Sequence, residues 1–218
     1  MSRAIAETRV IPRRLGPASA GIRLTPEEFD SCPPESWQDG YRYELIGGFL
    51  VVTPIAGPAE ADPNDELGYL LRRYAEDEPG RSLLDATLPE RHVAGNSNRR
   101  RADRVIWVGL GRTPNEQADV PAIVIEFVSG RRRDAVRDYQ EKRDEYLAAG
   151  VLEYWVIDRF RRTLTVYRPG PQGPVATVIG ETQTYESPLL PGFVLPLGRL
   201  LARADDWSRR RRKPQPPG

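Results

Sequence analysis

An α/β fold, a mixed β-sheet flanked by helices, is predicted by three features of this 218-residue chain. The run Ala122-Ile123-Val124-Ile125-Glu126-Phe127-Val128 is apolar on both faces apart from one acid, the pattern of a central strand covered on both sides. Helical periodicity follows from Asp134 to Ala149, and a strong strand run from Leu152 to Asp158 comes next. Upstream, a glycine-linked pair of strand runs precedes an amphipathic helix, so helices and strands alternate in the way that packs helices on a sheet.

In chain order, residues 1–22 lack sustained periodicity and read as a loose arm. Order is expected to begin at Thr25-Pro26-Glu27-Glu28: Thr25 suits a helix N-cap, Pro26 the first helical position, and Glu28 completes a capping box. That short helix ends by Pro33-Pro34. Tyr41 to Ile46 and Phe49 to Val52 flank Gly47-Gly48, a hairpin signal because both glycines accept positive φ. Between Asn64 and Glu78, Leu67, Leu70, Leu71, Tyr74 and Ala75 form one apolar helical stripe, ended by Pro79-Gly80. Strands are expected from Ser82 to Leu88 and from Asp103 to Val108, with a polar connection over residues 95–101. After the central strand, Val136, Tyr139, Tyr146 and Leu147 turn one helical face to the sheet, and Gly150 stops the helix. Thr163 to Arg168 pairs back on Leu152 to Asp158, and residues 185–204 add a final strand and a short helix. The expected organisation is an arm over 1–22, one domain over 23–204 and a basic, proline-rich tail over 205–218.

Composition narrows the function classes. No apolar run approaches the roughly 20 residues that span a bilayer, and the N-terminus lacks the apolar centre of a secretion signal. Cys32 is the only cysteine, which excludes an internal disulfide and a Cys-based zinc site. A reducing, cytoplasmic location is the expectation. The net charge of +1 is uneven: the last ten residues carry five cations and no acid, which leaves 27 cations against 31 acids in the rest. Attraction to nucleic acid must therefore depend on local clusters.

Among 32 basic residues only Lys142 and Lys213 are lysines, and Lys213 lies in the tail. Arginine does not replace lysine where a compact, rotatable ammonium is needed. Lys142 falls on the helix that follows the strand of Glu126, and Asp103 lies at the entrance of the preceding strand. Two carboxylates on neighbouring strands offer hard oxygens to Mg²⁺ or Mn²⁺, and a nearby ammonium orients water or stabilises charge on a phosphoryl group. That arrangement suits phosphodiester hydrolysis.

The blocks Tyr43-Glu44-Leu45-Ile46, Ala102-Asp103, Val124 to Ser129, Arg137 to Arg143 and Gly150 to Asp158, in this order and spacing, resemble the Uma2-like family of bacterial endonucleases (DUF820), within the PD-(D/E)XK nuclease superfamily. The resemblance covers about residues 24 to 200. It implies a restriction-endonuclease-like core with Asp103 and Glu126 as metal ligands, Lys142 as catalytic lysine and Glu44 as an accessory acid. It further implies a metal-dependent endonuclease acting on DNA, with Mg²⁺ or Mn²⁺ as cofactor; many nucleases of this kind cut two strands with two subunits, so a homodimer fits. The chain departs from the pattern at four places: Val128 stands at the superfamily's usual lysine position, Ala102 at the usual proline, Gly47 at a turn aspartate and Pro63-Asn64 at a histidine.

Plainer roles exist for each residue. Lys142 pairs equally with Asp138 one helical turn back; Asp103 with Arg101 or Arg104; Glu126 with an arginine; Glu44 with a cross-strand neighbour. The clusters Arg99-Arg100-Arg101 and Arg131-Arg132-Arg133 flank the two acids and are candidates for holding a phosphate backbone, or else solvated loops. The rival reading is a catalytically inactive protein of the same fold that binds nucleic acid or a protein partner.

Overall fold

The computed structural model describes residues 11–77, 83–95, 97–129 and 135–212. Its centre is an eight-stranded mixed sheet in the order β2-β1-β4-β5-β6-β7-β8, with β3 also on β4. The strands are β1 (Tyr41–Ile46), β2 (Phe49–Pro54), β3 (Leu84–Ala94), β4 (Arg99–Val108), β5 (Ile123–Phe127), β6 (Glu153–Asp158), β7 (Thr163–Arg168) and β8 (Val175–Gly180). The helices are α1 (Pro26–Asp30), α2 (Pro58–Asp77), α3 (Ala135–Ala148) and α4 (Leu197–Arg212), and β9 (Tyr185–Glu186) with β10 (Val194–Leu195) forms a small ribbon.

Local signals explain most boundaries. Thr25 Oγ1 accepts the Glu28 N–H at 3.1 Å while Glu28 accepts the Thr25 N–H at 2.7 Å, so the expected capping box opens α1. Gly47 and Gly48, at φ 57° and 78°, close the β1–β2 hairpin. Every residue of β5 is buried, as a central strand requires. β5 and β6 run parallel with α3 as their connection; the other strand pairs are antiparallel.

Two apolar layers sandwich the sheet. On one face Leu67, Leu71 and Tyr74 of α2 and Leu200 and Leu201 of α4 pack against Ile106, Ile123, Ile125, Phe127, Trp155 and Ile157. On the other, Tyr146 of α3 packs with Val105, Trp107, Val124, Tyr154 and Val156. A third cluster, Leu15, Leu24, Phe29, Tyr43, Leu45 and Leu50, closes the hairpin end.

Five expectations need correction. From residue 11 the arm is packed: Leu15 is fully buried and exchanges backbone hydrogen bonds with Ser36 and Gln38, because its side chain completes the third cluster. α2 starts at Pro58, not Asn64; Pro58 fills the first helical position and Glu60 reaches back to the Gly57 N–H at 3.3 Å, so the helix is nucleated upstream and runs through Pro63. Arg99-Arg100-Arg101 belongs to β4, not to a polar connection, because each side chain has an acidic partner. β8 is an added strand paired along all of β7. Finally, α4 continues through residues 205–212, part of the expected tail, held by Arg199 and Arg203 on the buried Glu66 of α2.

Candidate active site

One edge of β4 serves two strands. β5 pairs with it over Arg104 to Ile106, and β1 touches it at Arg99, so residues 100–103 lie along a fork between β5 and β1. Asp103 stands in this fork with its carboxylate almost fully buried. Its Oδ2 accepts the Phe127 N–H at 2.7 Å, standing in for the ladder bond that is missing where β4 and β5 part. Its Oδ1 forms an ion pair with the Arg42 guanidinium at 2.8 Å.

The next strand brings Glu126, which is 3% exposed and points to the α3 side. Its Oε1 accepts from Lys142 Nζ and from the Tyr146 hydroxyl, each at 3.0 Å. Lys142 and Tyr146 are four residues apart and share one helical face, which places both over the end of β5. Glu44 of β1 approaches from the other side: its Oε1 accepts the Arg101 N–H at 2.9 Å and lies 3.9 Å from Lys142 Nζ. The four residues singled out from sequence thus converge around the fork, with Lys142 between Glu126 and Glu44. Asp138, the plainer partner for Lys142, has a side chain outside the described residues.

Burial pushes the Glu126 carboxyl up to about 8; the Lys142 charge opposes that rise, while the negative charges of Asp103 and Glu44 add to it. Burial and the Glu126 charge likewise raise the Tyr146 hydroxyl well above its ordinary value, so it stays a donor. Carboxylates crowded in a low-dielectric fork are relieved by a cation. Among the described residues no group of three or more His, Cys, Asp or Glu side chains is arranged to enclose a metal ion. Asp103 and Glu126 are the carboxylates that could hold a hard ion such as Mg²⁺, which takes one or two protein carboxylates with water and substrate oxygens completing its shell.

Reasoning from sequence missed the supporting residues. Asn64 Nδ2 donates to the Asp103 carbonyl at 2.8 Å, and Arg104, 2% exposed, donates to Asn64 Oδ1 at 2.7 Å, to its carbonyl at 2.8 Å and to Thr87 Oγ1 at 3.1 Å. With these neutral acceptors around it, burial lowers the Arg104 guanidinium to about 10. Arg42, two residues before Glu44 on the same strand face, was legible only as an alternating polar position. Tyr146 read as an apolar contact, and its spacing from Lys142 was the available signal.

The arginine clusters behave differently from a solvated patch. Arg100 is buried and bidentate on Glu145 of α3, which turns it away from any external phosphate. Arg99 holds Asp30 and Arg101 holds Glu90, at the wall of an open groove of about 770 Å³ between α1 and the β3–β4 hairpin. Arg131, Arg132 and Arg133 lie outside the described residues. No helix among the described residues is long and apolar enough to cross a membrane.

No curated protein matches this chain. A solved structure does: the crystal structure of "a putative nuclease belonging to DUF820" from Anabaena variabilis ATCC 29413 superposes with a TM-score of 0.66 at 17% identity, covering 83% of this chain and 99% of the other. At that identity the match shows a shared fold. The Uma2 family profile, described as "Putative restriction endonuclease", aligns with residues 26–198, well over half the sequence, and this chain belongs to the Uma2 family.

Proposed function

We propose that the chain is a metal-dependent endonuclease that hydrolyses DNA phosphodiester bonds at the β4–β5 fork, with a core of the PD-(D/E)XK type. The observation that carries this reading is the convergence of Asp103, Glu126, Glu44 and the buried ammonium of Lys142 at the divergence of two central strands. Asp103 and Glu126 would hold Mg²⁺ or Mn²⁺, and Glu44 would tune the site. The ion supplies charge neutralisation on the phosphate and a lower pKa for bound water.

The protein's own groups do the rest. Lys142 Nζ, 3.0 Å from Glu126, would orient an attacking water or stabilise charge on the phosphoryl oxygens. Hydrolysis forms one bond from water oxygen to phosphorus and breaks one phosphorus–ester bond, and the departing oxygen takes up a proton. Tyr146 fixes Glu126 in the orientation that faces Lys142. Asn64 and Arg104 hold the backbone at Asp103, so the acid is set by a rigid strand. Val128 occupies the superfamily's usual lysine position, and Lys142 reaches the same acid from the helix. Arg99 and Arg101 border the groove beside the site and would meet the nucleic-acid backbone by exchanging Asp30 and Glu90 for phosphate.

DNA cleavage in the presence of Mg²⁺ or Mn²⁺ is the test, with Asp103→Asn, Glu126→Gln and Lys142→Ala each expected to lower the rate at least about a hundredfold. Wild-type rates in all three variants would sink the assignment. Salt-sensitive DNA binding with no Mn²⁺ uptake at millimolar concentration would instead identify a silent binding protein of the same fold.

A further inference from the structure

We propose that Arg42 is a positioning residue that competes with a divalent cation for Asp103, and that Glu90 receives Arg42 when the cation enters. The inference rests on the metal-site reading above and deepens it. Asp103 Oδ2 is tied to the Phe127 N–H, so Oδ1 is the oxygen left for a ligand, and Arg42 holds that oxygen at 2.8 Å. A second cation at the same oxygen meets the guanidinium charge at close range in a poorly solvated fork, where repulsion is strong. One of the two must give way.

Arg42 is bound in the manner of a group that can move. Arg99 and Arg100 grip Asp30 and Glu145 with both Nε and a terminal nitrogen. Arg42 instead shares one terminal nitrogen between Asp103 and Glu90, and its buried Nε has no hydrogen-bond partner. Burial works against the Arg42 charge, but Asp103, Glu90 and Glu126 more than offset it, so the exchange is one cation for another.

Glu90 is placed to take Arg42 over. The pairs Pro89–Arg104 and Arg91–Ala102 leave Glu90 opposite Asp103 on β3, and its φ of 55° is left-handed although it is not glycine. Such a conformation is strained for a residue with a Cβ and persists where the surroundings enforce it. Arg101 Nε, 2.9 Å from the Glu90 carboxylate, anchors it. Arg42 therefore needs only to release Asp103 and stay on Glu90.

Titration calorimetry with Mn²⁺ on the full chain tests this, because exchanging a close, poorly solvated ion pair changes affinity by about tenfold or more. Arg42→Met is expected to bind Mn²⁺ about tenfold tighter than wild type, and Arg42→Gln carries the same expectation if the first variant folds poorly. Glu90→Gln is expected to bind about tenfold weaker, since Arg42 then stays on Asp103, yet to have no effect in the Arg42→Met background. Unchanged or weaker binding by both Arg42 variants overturns the proposal, as does an equal loss from Glu90→Gln in both backgrounds. Asp103→Asn separates the two levels: if it binds Mn²⁺ as wild type does, the metal-site reading itself has failed.

Discussion

At the residue scale the site is a problem of buried charge. Glu126 sits in the covered centre of the sheet, where an ionised carboxylate without partners would cost several kcal/mol. It is tolerated because Lys142 and Tyr146 both donate to Oε1. Tyr146→Phe keeps the ring against Tyr154 of β6 but removes one donor. Urea unfolding is expected to show a loss of about 1–3 kcal/mol, since a buried acceptor group is left short of a partner. The pH dependence has a definite sign. The Glu126 carboxyl titrates near 8 in the fold against 4.5 ordinarily, so between those values the folded chain keeps a proton that the unfolded chain has lost. Raising the pH through that window favours unfolding. Its contribution is present in full below about 4.5, declines through the window and is gone above about 8. Glu126→Gln cannot ionise, so metal-free stability measured at several pH values should lose this downward slope. A slope unchanged by the substitution would mean that Glu126 is ionised throughout.

At the element scale, the placement of α2 sets the strand that carries Asp103. Gly68 of α2 lies against the Arg104 guanidinium, and a Cβ there would meet its atoms at 2.6 to 2.8 Å. Arg104 has little freedom to retreat, since Asn64 and Thr87 hold it. Alanine normally gains about 1 kcal/mol over glycine inside a helix, whereas overpacking a tight contact costs about 1–3 kcal/mol. Gly68→Ala is thus expected to be destabilising by up to about 2 kcal/mol in chemical denaturation; a stabilised variant would show that α2 can shift without cost. The same element shows where the sequence was legible and where it was not. The apolar stripe of α2, the covered strand β5 and the Gly47-Gly48 turn are local patterns, and all three were readable. The start of α2 was misplaced because Pro63 reads as a breaker, while the tertiary hold of Asn64 on β4 is invisible locally. Arg99-Arg100-Arg101 read as a polar connection because a strand stabilised by acids from α1, α3 and β3 leaves no apolar alternation. Glu126 and Lys142 were legible since each broke a local expectation: an acid in an apolar strand, and a lysine in an arginine-rich chain. Arg42, Glu90 and Tyr146 broke none.

At the scale of the whole molecule, the distribution of charge decides how nucleic acid would be approached. The chain is nearly neutral, and its surplus of cations lies in the last ten residues; the remainder has 27 cations against 31 acids. The groove beside the fork has no surplus to offer, because Arg91, Arg99 and Arg101 are matched by Glu116, Asp30 and Glu90. The terminal basic segment is then the largest local surplus of cations that could attract a polyanion at long range. Removing residues 209–218 takes away five cations and no acid, so DNA affinity at low salt should fall. The slope of log K against log salt should flatten by about 0.9 for each duplex phosphate that the shortened chain no longer neutralises. Binding isotherms at several salt concentrations measure both quantities. An unchanged slope after truncation would assign the phosphate contacts to the internal clusters, to Arg131-Arg132-Arg133 or to Arg99 and Arg101 with their ion pairs opened. Arg99→Ala and Arg101→Ala would then flatten the slope if their pairs open on binding, and leave it unchanged if Arg131-Arg132-Arg133 carries the contacts.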